Sequence, residues 1–259
     1  MGAEIIVTRT AERIDPESHA ITLDGGDIVR AKTIVLATGV SWRQLDVPSL
    51  DRLRGRGIYY GVAPDEARYV QGNDVYIIGG GNSAGQAAVN FANFAKSVTI
   101  LVRGDSLASS MSYYLIEQLK TKSNVIVQTN SEIVGAHGDD NLQAVTIANR
   151  ANSETVTTPA SAAFILIGAD AETTWLPDAV DRDARGYIVT GRDIGKDGRR
   201  PLERDPYLLE TSVPGIFAAG DVRANSIKRV AAGVGEGSMA IAFVHQYLAA
   251  NNVVSSRPR

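Results

Sequence analysis

The sequence contains no cysteine. That removes disulfides, thiolate metal sites and thiol nucleophiles from consideration together. Histidine is nearly as scarce. His19, His137 and His245 are the three present, far apart and without metal-ligand spacing, so each reads as a surface or packing residue and no metal site is expected. No apolar run approaches the ~20 residues a membrane-spanning helix needs, and the most apolar stretch, 160–169, stops at Asp170. Nor is there a surplus of positive charge. The formal net charge is −3 with no basic run, which leaves nucleic acid without a binding surface. Residues 1–10 carry Glu4 and Arg9 in an alternating pattern unlike a signal peptide, so the expected location is cytoplasmic.

What is present is an ordinary globular composition. The 259 residues are 44% hydrophobic, enough for one or two domains with proper cores. The most informative stretch runs from Asp74 to Phe91. Val75, Tyr76, Ile77 and Ile78 read as a buried strand, and Gly79, Gly80 and Gly81 as a turn. Asn82 and Ser83 then open a helix in which Ala84, Ala87, Ala88, Phe91 and Ala95 recur at helical spacing. In G-x-G-x-x-G/A terms the match is Gly79, Gly81 and Ala84. Gly79 permits the tight turn, Gly81 lets the backbone approach phosphates, and small Ala84 lets helix pack on strand. Free N–H groups at the helix terminus would attract a dinucleotide pyrophosphate.

The next apolar run, Val98 to Val102, ends in Arg103-Gly104-Asp105. An acidic residue here would favour NAD(H); Arg103 instead suits the 2′-phosphate of NADP(H), although Asp105 sits close by. Elsewhere, Glu4–Thr8, Ala20–Leu23 and Ile28–Val29 alternate as strands around an Asp24-Gly25-Gly26 turn. Residues 40–70 read as a connector. Met111, Leu115 and Leu119 mark a second helix, and Val125–Val127, Glu132–Val134 and Leu142–Ile147 read as short antiparallel strands. Phe164–Ile167 and Tyr187–Val189 read as further strands, Ser238–Leu248 as a helix, and residues 251–259 as a frayed tail. An apolar strand ending in Gly220-Asp221 would place a carboxylate at a sheet edge, within reach of a ribitol or ribose hydroxyl.

Taken in order, Ala37-Thr38-Gly39, the Gly79–Ala84 loop, Ile167-Gly168, Thr211 through Asp221, and Arg229-Val230-Ala231 resemble the two-dinucleotide flavoprotein reductases. The likeness is greatest to the thioredoxin reductase branch of the FAD/NAD(P)-dependent pyridine nucleotide-disulfide oxidoreductases. It implies an α/β, Rossmann-like two-domain fold with an NADPH domain inserted into an FAD domain. Residues 1–62 and 169–259 would belong to the FAD domain and 63–168 to the insert. By the same resemblance Asp221 would hold the FAD ribitol, and Arg229, Val230 and Ala231 would line the flavin ring. Thr38, Gly39, Gly168 and Gly220 fall at the family's other nucleotide-binding landmarks. The family's common dimer through the FAD domain implies a homodimer here.

Two departures qualify that likeness. The family carries Cys-x-x-Cys-Asp before the NADPH-domain strand, where this chain has Gly61-Val62-Ala63-Pro64-Asp65. Both thiols are gone, and with them any attack on a disulfide. Asp65, at the family's proton-donor position, is a candidate acid near the flavin or a solvated loop residue. The second departure is the start, which lacks the family's leading FAD-binding βαβ unit, so a fragment of a larger reductase is the expectation and the FAD domain is read as truncated. Two functions follow, with a third beside them. One is an FAD-dependent NADPH oxidoreductase that passes hydride from NADPH to flavin without its own redox disulfide, its electrons leaving to an unknown acceptor. Cysteine-free relatives that reduce ferredoxin with NADPH suit that reading. The other is a truncated or regulatory NADPH-binding module without turnover; a third is a structural component completed by a partner.

Overall fold

A turn rich in glycine shapes the first elements. The computed structural model describes residues 2–61, 70–195 and 204–251. Ala11–Asp15 (β1), Ala20–Leu23 (β2) and Ile28–Arg30 (β3) form an antiparallel meander in the order β1-β2-β3. Gly25 and Gly26, at φ 79 and 89, make the turn between the last two. Ile34–Leu36 (β4) follows. The strand expected at Glu4–Thr8 does not form. Ile5, Ile6 and Val7 are 82%, 55% and 67% exposed and join no ladder, because alternation makes a strand only where a neighbour takes up its backbone hydrogen bonds.

The chain divides into two compact units, Met1–Ser41 with Ala169–Arg259, and Trp42–Gly168. In the second unit the elements run Pro48–Arg52 (α1), Ile58–Tyr60 (β5), Asp74–Ile78 (β6), Asn82–Phe91 (α2), Ser97–Leu101 (β7), Tyr113–Lys120 (α3) and Val125–Gln128 (β8). An antiparallel trio comes next, Ser131–His137 (β9), Ala144–Asn149 (β10) and Thr155–Pro159 (β11), before Ala162–Ile165 (β12). The central sheet has five parallel strands in the order β5-β12-β6-β7-β8.

Side chains alternate across this sheet, and both faces are covered. On one side Val75, Ile77, Val98, Ile100 and Phe164 pack against Ala84, Ala88 and Phe91 of α2 and Leu115 and Leu119 of α3. Tyr76, Ile78 and Leu101 point the other way, onto Leu50, Leu53, Ile133 and Val145. Two expectations change here. The stretch 40–70 is more than a connector, since it supplies α1 and the edge strand β5. Val125–Val127 lies in β8, parallel and in the central sheet, not in the antiparallel trio. Strand direction is set by the ladder partner, which a short apolar run does not reveal.

In the first unit Ile216–Ala218 (β13) pairs in parallel with β4, Phe217 opposite Val35. Ile34, Leu36, Ile216 and Ala218 pack with Ile14, Val213 and Val222 on one face, and Phe217 packs with Leu209 and Ala240 on the other. Tyr187–Val189 makes isolated bridges at Ile188 rather than a strand. The last helix, Val230–Ala250 (α4), starts earlier than its apolar run, despite the glycines at 233, 235 and 237. Among the described residues no helix is long and apolar enough to cross a membrane, and no cluster of acidic and histidine side chains could hold a metal ion.

Candidate functional site

The carboxyl end of β6 delivers Gly79 beside the end of β7, where its N–H donates to the Leu101 carbonyl at 3.0 Å. Gly79 has φ +144, and a Cβ there would come 2.3 Å from the Leu166 carbonyl oxygen, so only glycine fits. At Gly80 a Cβ would press on Val102 Cγ1 at 3.1 Å and Ser110 Oγ at 3.2 Å. Gly81 is different. Its φ of −91 and ψ of 179 suit any residue. A Cβ on Gly81 would meet nothing nearer than the Ser110 carbonyl oxygen at 4.0 Å. Neither backbone nor packing demands glycine at 81; its effect is to leave the backbone bare to the space above it.

That space faces the start of α2. The first bond of the helix runs from the Gly85 N–H to the Gly81 carbonyl at 3.1 Å, and no side chain caps the terminus. The preceding N–H groups are the orphans of a helix N-terminus, carrying its partial positive charge. Buried Ala84 and Gly85 seat the first turn against the core, and Ser83 is exposed. Asn82 turns aside, its Oδ1 accepting the Ser112 N–H at 2.7 Å. A bare glycine backbone and unclaimed N–H groups at one sheet edge form a donor set that fits the pyrophosphate of a dinucleotide.

Arg103 lies two residues beyond β7, at the same carboxyl edge. Its side chain is exposed and makes no hydrogen bond or ion pair with any described residue. Asp105 is likewise exposed and leaves Arg103 unpaired. Between the two loops Ser110 Oγ donates to the Gly80 carbonyl at 2.8 Å. Nothing in the sequence singles out Ser110, where one serine among several carries no signal.

The first unit gathers a second group. Gly220, at φ +77, and Asp221 form a tight turn after β13. The Gly220 N–H donates to Glu236 Oε2 at 2.7 Å, and Arg223 grips the same carboxylate through Nε at 3.1 Å and Nη2 at 2.6 Å. Burial pushes the Glu236 carboxyl up, but Arg223 and the Gly220 N–H outweigh it and hold it below the usual glutamate range. Lys228 Nζ donates to the Asp221 carbonyl at 2.5 Å and to Ser226 Oγ at 2.7 Å, and lies 4.3 Å from the Tyr187 ring centre. Burial lowers the Lys228 ammonium against the opposing pull of Asp221. The Asp221 carboxylate accepts none of these bonds, which leaves it suited to a ligand hydroxyl. Glu236 escapes a motif-based reading, although it is the one carboxylate in α4, a lone charge among apolar residues and glycines.

The remaining positions are scattered. Thr38 is exposed and Gly39 has φ +69, just past β4. Gly168, at φ +99, accepts the Arg43 N–H at 3.1 Å. Arg229, Val230 and Ala231 stand exposed at the start of α4, Arg229 donating to the Lys228 carbonyl at 3.1 Å. Thus Gly79–Ala84, Arg103 and Gly168 belong to one unit, and Thr38, Gly39, Gly220, Asp221 and Arg229–Ala231 to the other. Asp65, with Val62, Ala63 and Pro64, lies outside the described residues.

Comparison with known proteins gives this geometry its family. The model of the pyridine nucleotide-disulphide oxidoreductases matches residues 1–237. The F component of alkyl hydroperoxide reductase of Staphylococcus epidermidis is 30% identical over 231 residues, 89% of this chain and 42% of that protein. The Staphylococcus aureus counterpart is 30% identical over 235 residues, 91% of this chain and 43% of its own length. The chain therefore spans less than half of these curated relatives. Among solved structures, thioredoxin reductase from Giardia duodenalis superposes with a TM-score of 0.74 at 25% identity, covering 96% of this chain and 76% of that one. The T. acidophilum thioredoxin reductase gives 0.68 at 25% identity, covering 95% and 74%. With its parallel sheet and glycine loop in that fold, the chain belongs to the pyridine nucleotide-disulphide oxidoreductase family.

Proposed function

We propose that the Gly79–Ala84 loop binds NADPH and that the chain works as the nucleotide-binding and flavin-binding part of an oxidoreductase without a redox disulfide of its own. The observation that carries this is the bare Gly81 backbone beside the uncapped start of α2, a room for phosphate that nothing in the protein's own packing requires. On this reading Gly81, Asn82, Ser83 and Ala84 present N–H groups to the pyrophosphate, and unpaired Arg103 takes the 2′-phosphate. Asp221 accepts a ribitol hydroxyl of FAD, with Glu236 and Arg223 fixing its turn, while Arg229, Val230 and Ala231 border the ring. Gly168, Thr38, Gly39 and Gly220 supply close backbone approach at the nucleotides. Bound FAD would supply a two-electron acceptor for hydride, and the protein's part is to hold and orient both nucleotides. With no thiolate in the chain, the reducing equivalents go to an acceptor other than a local disulfide. Residues 1–62 and 169–259 on this reading handle FAD, and 63–168 NADPH.

One observation favours a second reading, nucleotide binding without turnover. The parallel pair β4 and β13 is two strands wide among the described residues, and Val35 is 39% exposed, whereas parallel sheets are covered on both faces. The visible spectrum of the purified chain with added FAD, before and after anaerobic NADPH, separates the two. Bound flavin that bleaches with NADPH establishes the oxidoreductase. Nucleotide binding without any bound flavin refutes it and leaves the binding module.

A further inference from the structure

The geometry points to Ser110 as the positioning residue of the phosphate-binding loop: its hydroxyl locks the Gly80–Gly81 peptide so that the Gly81 N–H faces the open side. This deepens the proposed nucleotide site and rests on that reading. A peptide joining two glycines is the least restrained kind, since neither side carries a Cβ to oppose rotation of the plane. In a trans peptide the C=O and the following N–H point in opposite directions. Ser110 Oγ donates to the Gly80 carbonyl at 2.8 Å, which draws that oxygen toward the 106–112 loop. The Gly81 N–H must then point away from that loop, and among the described residues no protein acceptor takes it. A flipped peptide would turn the carbonyl oxygen toward the phosphates and repel them.

The serine is itself held. The Ser112 N–H donates to Asn82 Oδ1 at 2.7 Å, and the Ser110 and Met111 N–H groups donate to the Leu107 carbonyl at 3.1 and 2.9 Å. Met111 is buried against Gly85 of α2, where a Cβ would come 2.8 Å from its Sδ. The 106–112 loop is thus clipped to the glycine loop at two points and seated in the core between them. Ser110 differs in role from Arg103. It acts through the peptide plane on the pyrophosphate, which NADPH and NADH share, whereas Arg103 addresses a phosphate that only NADPH has.

The test is a calorimetric titration of NADPH and of NADH into wild type, Ser110→Ala and Ser110→Thr, with thermal unfolding of each. The expected result for Ser110→Ala is a loss of about five- to tenfold for both nucleotides alike, recovery in Ser110→Thr, and an unchanged unfolding midpoint for this exposed side chain. Unaltered binding by Ser110→Ala, a loss confined to NADPH, or a loss that Ser110→Thr does not recover overturns the inference alone. Wild type that binds neither nucleotide overturns it together with the proposed site.

Discussion

The three glycines of the turn have separable duties, and paired alanine substitutions pull them apart. Gly79→Ala places a methyl 2.3 Å from the Leu166 carbonyl oxygen at a φ of +144. The backbone strain costs about 1–3 kcal/mol, and displacing a packed peptide group adds about 1–3 kcal/mol. Together they predict a loss of roughly 2–6 kcal/mol, a large share of a typical domain's stability. Gly81→Ala enters open space with an ordinary φ of −91, so its stability should change by only about 0.5 kcal/mol. Its methyl nevertheless occupies the approach to the backbone, and NADPH affinity should fall at least about tenfold, near 1.4 kcal/mol. Urea unfolding followed by circular dichroism measures the first quantity and calorimetric titration the second. If Gly81→Ala loses as much stability as Gly79→Ala, the space above residue 81 is not open. If it keeps stability and also binds NADPH like wild type, the phosphates do not come to Gly81 and the proposed site is wrong.

Two further outcomes follow from unpaired and paired charge. Arg103→Ala should weaken NADPH by about tenfold or more and leave NADH nearly unchanged, as removal of a charge-assisted phosphate contact predicts; equal losses for both nucleotides would take Arg103 out of the 2′-phosphate role. Glu236→Gln removes the charge that faces the half-buried Arg223 guanidinium and should cost the first unit about 3 kcal/mol. Because the folded carboxyl titrates below its unfolded value, its stabilisation is present above about pH 4.3 and fades as pH falls through the depressed folded value. The urea midpoint of wild type should therefore drop in acid more steeply than that of Glu236→Gln, and parallel pH profiles would refute the assignment.

How much of the fold is readable in the sequence depends on whether local chemistry or a distant partner decides an element. The Val75–Phe91 stretch is readable because each part is locally determined. A four-residue apolar strand, a turn that requires glycine at its first position and a helix with alanines on its packed face leave one solution. Glu4–Thr8 has equally good alternation and forms no strand, because pairing requires a neighbour that pattern alone does not supply. The same limit explains β5 and β8. Ile58–Tyr60 is too short for its period to be recognised, and Val125–Gln128 has the composition of either strand direction. Ser110 and Glu236 are invisible for a related reason. Each matters through a contact with a glycine far away in sequence, Gly80 and Gly220, and spacing rules reach only as far as one helix turn or one hairpin.

The two halves of the family's description fare differently in this chain. Binding a dinucleotide pyrophosphate calls for a bare backbone and an anion-seeking helix start, which Gly81 and α2 offer at one sheet edge, and a 2′-phosphate calls in addition for a cation at the next strand end, where Arg103 lies. Disulphide chemistry needs a thiolate to attack sulfur, and none of the 259 residues is a cysteine. Fold likeness cannot restore that step, since the Giardia and T. acidophilum reductases match in backbone at 25% identity while reactivity resides in particular side chains. The staphylococcal relatives extend to more than twice the matched length, so what the whole of those proteins does is no guide to these residues alone. What the roles proposed for the glycine loop and Arg103 predict is narrower. A nucleotide lacking the 2′-phosphate should be held by the loop alone, and one bearing it by the loop and the arginine.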